Sequence, residues 1–209
     1  MLAILILAVV AVAWAMGRQR TKLVIARLFG RAIGAKALAH QPDRIRLTQG
    51  GAQAWKNPGA ANAIADPLLA RGFEDAGTFT VAELNGVVVR LLAKADDSLY
   101  AAVYEHPKAG AWFEFFSRYR DGSGSTFSAA KETGLDPHPC HPVVHAPGTS
   151  PLALYARACA ERPQGALLPA TVDAAVRDFE QSYADSIAWR KSRGISGAEV
   201  AKIARRRAA

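Results

Sequence analysis

The fold is decided by residues 78–131, which read TFTVAELNGVVVRLLAKADDSLYAAVYEHPKAGAWFEFFSRYRDGSGSTFSAAK. Five runs in this stretch are rich in β-branched and aromatic residues, which is typical of strands. They cover residues 78–84, 87–94, 99–106, 111–120 and 125–131, with short polar turns between them. The Asn85-Gly86 pair favours a type I′ hairpin turn, which needs a positive φ at both positions. The stretch therefore predicts a five-stranded antiparallel meander.

Helices are predicted on both sides of the meander. The Asp66-Pro67 pair is typical of a helix start, because aspartate caps the first turn and proline suits the first helical position. The longest helix is predicted to begin after Thr171 and to end at Gly194. Its apolar residues recur at helical spacing and form one stripe suited to lying across the sheet: Val172, Val176, Phe179, Tyr183 and Ile187. Val143 and Val144 could add a short edge strand.

The first sixteen residues contain no charged side chain, and basic residues follow them at once. This pattern favours an uncleaved transmembrane helix that acts as a signal-anchor. The alternatives are a secretory signal cleaved near Ala13-Trp14-Ala15 and a buried core helix. Because the basic residues all follow the apolar run, we expect the N-terminus outside and the soluble domain in the cytoplasm. The membrane-flanking basic residues are Arg18, Arg20, Lys22 and Arg27.

The predicted fold class is α+β, with an N-terminal transmembrane helix followed by a five-stranded antiparallel meander packed against a long C-terminal helix. The predicted boundaries are 1–22 for the anchor, 23–65 for a juxtamembrane helix and linker, and 66–209 for the soluble domain. A curved meander gripped by a long helix can enclose an apolar pocket.

The formal charge of +8 is unevenly distributed along the chain. Residues 1–40 carry +6 and residues 190–209 carry +6, whereas residues 41–189 carry −4. A nucleic-acid-binding domain is usually basic over its folded surface, so a nucleic-acid partner is not expected. The expected partners are the lipid bilayer and a protein at the membrane.

The densest group of chemically versatile side chains is His138, Cys140, His141 and His145. Imidazole and thiolate are ligands that zinc and copper accept, so these residues are candidate metal ligands. The competing interpretation is an exposed, proline-rich loop, because zinc sites usually pair two separated ligand knuckles and the sequence has only one. No catalytic residue is identified, no cofactor is expected, and familiar nucleotide-binding and hydrolase motifs are absent from the sequence.

Aromatic residues occur at neighbouring positions of the fourth predicted strand, and so on both of its faces: Trp112, Phe113, Phe115 and Phe116. A sheet covered on one face only would expose half of them as an interaction surface. Three functions follow from the sequence. The first is a membrane-anchored, non-enzymatic interaction or assembly module. The second is a lipid- or apolar-ligand-binding domain, and the third is a metal-dependent enzyme that uses the 138–145 loop.

Overall fold

The computed structural model describes residues 32, 34–36 and 38–206. They form two compact units. The sheet unit comprises residues 42–132 and 137–189, and the terminal unit comprises residues 133–136, 190–206 and the described residues before 42.

The predicted anchor, residues 1–22, lies outside the described residues, as do Arg18, Arg20, Lys22 and Arg27. Within the described part of the chain, no helix is long and apolar enough to cross a membrane. The longest helix there has 22 residues but is interspersed with acidic and basic side chains, which are costly in hydrocarbon. A single-pass topology with a cytoplasmic domain is therefore not supported, and that part of the predicted fold is corrected.

The sheet has seven strands in the order β1 to β7. Neighbouring strands from β1 to β6 pair antiparallel, whereas β6 and β7 pair parallel. The strands are Leu47–Gln49 (β1), Glu74–Val81 (β2), Val88–Lys94 (β3), Leu99–His106 (β4), Gly110–Arg118 (β5), Gly124–Ser128 (β6) and Val143–His145 (β7).

The prediction of a five-stranded antiparallel meander is therefore wrong, although the α+β class is correct. The five central strands occur in the predicted order, and β3 to β5 lie within two residues of their predicted bounds. Strand β2 begins four residues and ends three residues earlier than predicted, and β6 ends three residues earlier. Two three-residue edge strands, β1 and β7, extend the sheet. Strands of three residues show almost no periodicity in the sequence, so their formation depends on pairing with the edge of the sheet. The Asn85-Gly86 hairpin forms, but only Gly86 has a positive φ, of 77°, so its turn is not type I′.

Residues 42–206 form four α-helices: Pro58–Leu69 (α1), Pro151–Glu161 (α2), Val172–Arg193 (α3) and Gly197–Arg206 (α4). Helix α1 begins earlier than predicted, because Asn57 caps it and Pro58 occupies its first turn. The Asn57 side chain accepts a hydrogen bond of 3.1 Å from the backbone N–H of Ala60. Pro67, predicted near the helix start, lies inside α1. Thus β1 and most of α1 fall within the segment predicted as linker.

Both faces of the sheet are covered within the sheet unit. Helices α1 and α2 pack on one face around Phe115, Leu92 and Val103. Helix α3 packs on the other face through Val172, Val176, Phe179 and Tyr183, as its predicted apolar stripe requires. Successive side chains along the central strands therefore point alternately into two apolar cores, one on each face of the sheet.

The terminal unit is organised around the carboxylate of Glu199, which is fully buried. Ser196 and Glu199 form the capping box of α4: Glu199 Oε2 accepts from Ser196 N at 2.8 Å, and Glu199 N donates to Ser196 Oγ at 3.2 Å. Glu199 Oε1 also accepts from the guanidinium of Arg193 at 2.9 Å and from the backbone N–H of Asp136 at 2.8 Å. Burial opposes ionisation, but these donors lower the pKa of Glu199 to about 2.

Candidate functional site

A cavity lies between the sheet and α3, wholly within the sheet unit; we call it the α3 cavity. Its volume is about 210 Å³, and it is partly open to solvent. Strands β4 to β7 form its floor and four residues of α3 form its roof. It is lined by Tyr104, Glu114, Phe116, Ser117, Gly124, Ser125, Thr126, His141, Val143, Phe179, Ser182, Tyr183 and Ser186.

Glu114 is the acidic residue in this lining. It lies opposite Ser128 across β5 and β6, and Ser128 lies opposite His145 across β6 and β7. The hydroxyl of Ser128 donates to Glu114 Oε1 at 2.7 Å, and the hydroxyl of Tyr104 donates to Oε2 at 3.2 Å. Burial raises the pKa of Glu114, because its hydrogen bonds to neutral groups and the electrostatic influence of His145 do not offset the loss of hydration.

The residues around Glu114 explain why space remains beside it. Two stacked aromatic pairs flank it: Tyr104 with Trp112 at 4.7 Å between ring centroids, and Tyr100 with Phe116 at 4.9 Å. Its cross-strand neighbour on β4 is the small residue Ala102. On the roof of the cavity, Ser182 and Ser186 are also small, so the space between α3 and Glu114 is not filled by side chains.

His141 lies at the side of the cavity against Gly124. A Cβ atom on Gly124 would come within 2.8 Å of His141 Nδ1, so glycine permits this close approach. Burial and the neighbouring His138 lower the pKa of His141 below its usual value of 6.5. His141 is consequently neutral at pH 7, when it can offer both a hydrogen-bond donor and an acceptor.

An ion-pair network connects β5 to α3 near the cavity. Arg118 on β5 lies 3.8 Å from an oxygen of Asp178 and 3.6 Å from an oxygen of Asp185. Asp178 also accepts a 2.8 Å hydrogen bond from the hydroxyl of Tyr100. The charge of Arg118 is thereby balanced by two carboxylates, and the network fixes α3 above the sheet.

The predicted metal ligands do not form a metal site. The ring of His138 contacts the ring of His141 at 4.6 Å, but its Nδ1 accepts a hydrogen bond from the backbone N–H of Cys140. His145 Nδ1 instead lies 3.0 Å from the carbonyl oxygen of Ala130. Among the described residues, no group of three or more His, Cys, Asp or Glu side chains is arranged to hold a metal ion.

The predicted aromatic interaction surface divides between the two faces of β5. Phe113 and Phe115 are buried in the core under α1 and α2, and Phe116 is buried in the core under α3. Trp112 is half-buried and stacks on Tyr104. Their role in binding a partner stays a prediction, while their structural role is to form the core and the surroundings of Glu114.

Sequence reasoning missed Glu114, Tyr104, Ser128 and Ser182 as site residues. One signal was present in the sequence: Glu114 interrupts the run from Trp112 to Phe116, in which the other four residues are all aromatic. A carboxylate in a strand that is apolar on both faces is costly to bury and is therefore a candidate for function. The two serines carry no such signal, because their position depends on strand register and on the placement of α3.

Comparison of the chain with protein-family models, with curated proteins and with solved structures gave no match.

Proposed function

We propose that the α3 cavity binds a small, largely apolar molecule and that the protein is a ligand-binding domain. The observation that supports this most is the position of Glu114, a buried carboxyl group that lines a cavity with aromatic walls. Ligand sites typically combine such apolar walls with a few polar groups that orient the ligand.

The size of the cavity limits the ligand. An apolar cavity of about 150 Å³ accommodates benzene. A cavity of about 210 Å³ therefore fits one ring with a short substituent, or an aliphatic chain of similar volume. A whole lipid is too large for it, which narrows the ligand to small molecules.

The other two predicted functions have less support. Among the described residues, Leu152 is the only large apolar side chain that is exposed, so an extended apolar docking surface is not evident there. Of the histidines predicted to serve a metal-dependent enzyme, His138 is held by a hydrogen bond in its own loop and His145 by one at the sheet edge.

Titration with a one-ring compound, followed by NMR, tests the proposal. We expect toluene and benzyl alcohol at millimolar concentration to shift the signals of the Phe179 ring and of the Val143 and Thr126 methyl groups, which line the cavity. The shifts should saturate. Absence of saturable shifts at these residues would contradict ligand binding in the cavity.

A pair of variants on α3 makes the test specific. Ser182→Leu places an isobutyl group in the cavity, so it should abolish the shifts. Ala188→Leu adds similar bulk at an exposed position of the same helix and should leave them unchanged. Circular dichroism and melting temperature confirm that both variants fold. Equal binding by the two variants would place the ligand elsewhere.

A further inference from the structure

Glu114 carries a largely buried carboxyl group that forms no ion pair with a lysine or arginine of the described residues. Its hydrogen-bond donors are the hydroxyls of Ser128 and Tyr104, which are neutral. His145 on β7 favours the ionised carboxylate electrostatically but forms no ion pair with it, and burial still raises the pKa of Glu114. Within the described part of the chain, no lysine or arginine forms an ion pair with it. A buried carboxylate usually has a charged partner, and one without it is costly.

The position of Glu114 leaves the missing charge to be supplied from the cavity. Arg118, which lies on the same strand as Glu114, is already engaged with Asp178 and Asp185. Glu114 itself lines the cavity, so a ligand can reach its carboxyl group from the open side.

The aromatic lining suits a cation as well. Tyr104, Phe116, Phe179 and Tyr183 line the cavity around Glu114. The face of an aromatic ring attracts a positive charge, and the attraction is stronger where water is excluded. An anionic ligand, by contrast, would be repelled by an ionised Glu114 and would gain nothing from these rings.

We propose that the α3 cavity selects a small primary amine, whose ammonium group pairs with the Glu114 carboxylate while its apolar body packs against the aromatic walls. This inference rests on the ligand-binding function proposed above and specifies the chemical class of the ligand. The ammonium group would supply the charge that the protein does not, through a charge-assisted hydrogen bond to the carboxylate.

Proton linkage follows from this pairing. Burial raises the pKa of Glu114 in the free protein. A bound ammonium favours the ionised carboxylate, so it should lower that pKa. Other titratable groups around the carboxyl are Tyr104 on β4, His145 on β7, His141 before β7 and Tyr183 on α3.

Three compounds of nearly equal size separate charge from shape: benzylamine, benzyl alcohol and benzoate. In calorimetric or NMR titrations at pH 7, we expect benzylamine to bind roughly tenfold more tightly than benzyl alcohol, because its hydrogen bond is charge-assisted. Benzoate should not bind measurably. The carboxyl-carbon signal of Glu114 should report a lower pKa with benzylamine bound and no such decrease with benzyl alcohol.

The matched variant is Glu114→Gln, which keeps the shape and removes the charge. It should bring the affinity for benzylamine to that for benzyl alcohol. If benzyl alcohol binds the wild type as tightly as benzylamine, or if Glu114→Gln retains the preference, the amine inference fails and the ligand-binding function stands. If none of the three compounds binds in the cavity, the proposed function fails and the inference fails with it.

Discussion

Ser128 and Glu114 face each other across β6 and β5, and the serine hydroxyl donates a 2.7 Å hydrogen bond to Oε1 of the glutamate. Ser128 is completely buried. The carboxyl group is thus held by the sheet on one side and lines the α3 cavity on the other. This arrangement directs the Glu114 carboxyl group toward the cavity.

The pKa of Glu114 makes stability depend on pH in a specific direction. A carboxyl whose pKa is raised by folding stabilises the protein below its unfolded value, and this contribution is lost as pH rises through the folded pKa. Glu114→Gln removes that loss because glutamine does not ionise. We expect the variant to melt higher relative to wild type at pH 8 than at pH 4, as measured by differential scanning calorimetry. A difference in melting temperature that is the same at both pH values would contradict the raised pKa.

Glu105 is expected to be essential for the start of α1. Its two carboxylate oxygens accept from the backbone N–H groups of Lys56 at 2.6 Å and Asn57 at 2.9 Å, and it is only 6% exposed. Glu105→Ala leaves both amides unsatisfied, at a cost of about 2–4 kcal/mol in unfolding free energy. Urea denaturation measures this loss.

Glu161→Ala is the matched control for Glu105→Ala. Glu161 pairs with Arg157 on the surface of α2, and both side chains are well exposed, at 50% and 40%. Exposed pairs of this kind contribute about 0.5 kcal/mol or less. Equal losses in the two variants would show that the start of α1 does not depend on the hydrogen bonds from Lys56 and Asn57 to Glu105.

Acid should weaken the terminal unit through Glu199. Folding lowers the pKa of this carboxyl to about 2, so its contribution is complete above the unfolded value near 4.5 and is lost as pH falls through about 2. Glu199→Gln should cost roughly 2–4 kcal/mol at pH 7, because a buried ion pair loses one partner. The NMR signals of the Ser196 and Asp136 amides during urea titration report this unit.

Asp136→Asn is the control for Glu199→Gln. The side chain of Asp136 is 42% exposed and pairs with Arg193 and Lys202, while its backbone N–H, which serves Glu199, is unchanged by the substitution. The expected cost is about 1 kcal/mol or less. A loss as large as that of Glu199→Gln would mean that surface charges, rather than the buried carboxylate, stabilise the unit.

The two cysteines should differ in reactivity. Cys140 is exposed, whereas Cys159 is partly buried on α2, and its burial and the nearby Asp97 raise its pKa. Because the thiolate is the reactive form, iodoacetamide at pH 8 should label Cys140 roughly tenfold faster. Mass spectrometry of the two peptides follows the rates, and Cys140→Ser should remove the fast phase. Faster labelling of Cys159 would contradict its burial.

The sequence was informative where structure is local. Strands β3 to β5 and the stripe of α3 from Val172 to Tyr183 follow from period and composition, and the structure confirms them. Strand β2 was predicted three to four residues too late in the chain. The start of α1 was misplaced because two Asx-Pro pairs, Asn57-Pro58 and Asp66-Pro67, carry the same signal. Strand β7 could not be placed in register, because its parallel pairing with β6 depends on contacts outside the strand itself.

The site was less accessible to sequence reasoning than the fold. Glu114, Ser128 and Ser182 come together only through the register of β5 with β6 and the position of α3 above them. The histidines attracted attention because they are close in sequence, yet His145 lies on β7 and turns its Nδ1 to the Ala130 carbonyl oxygen. Proximity in sequence was a poor guide to convergence in space.

The proposed ligand occupies the space between Glu114 and α3. Intermolecular nuclear Overhauser effects between benzylamine and isotope-labelled protein measure this occupancy directly. We expect contacts from the ring protons to the methyl groups of Thr126 and Val143 and to the ring of Phe179, which all line the cavity. Contacts confined to residues outside the cavity, or persisting unchanged in Ser182→Leu, would contradict it.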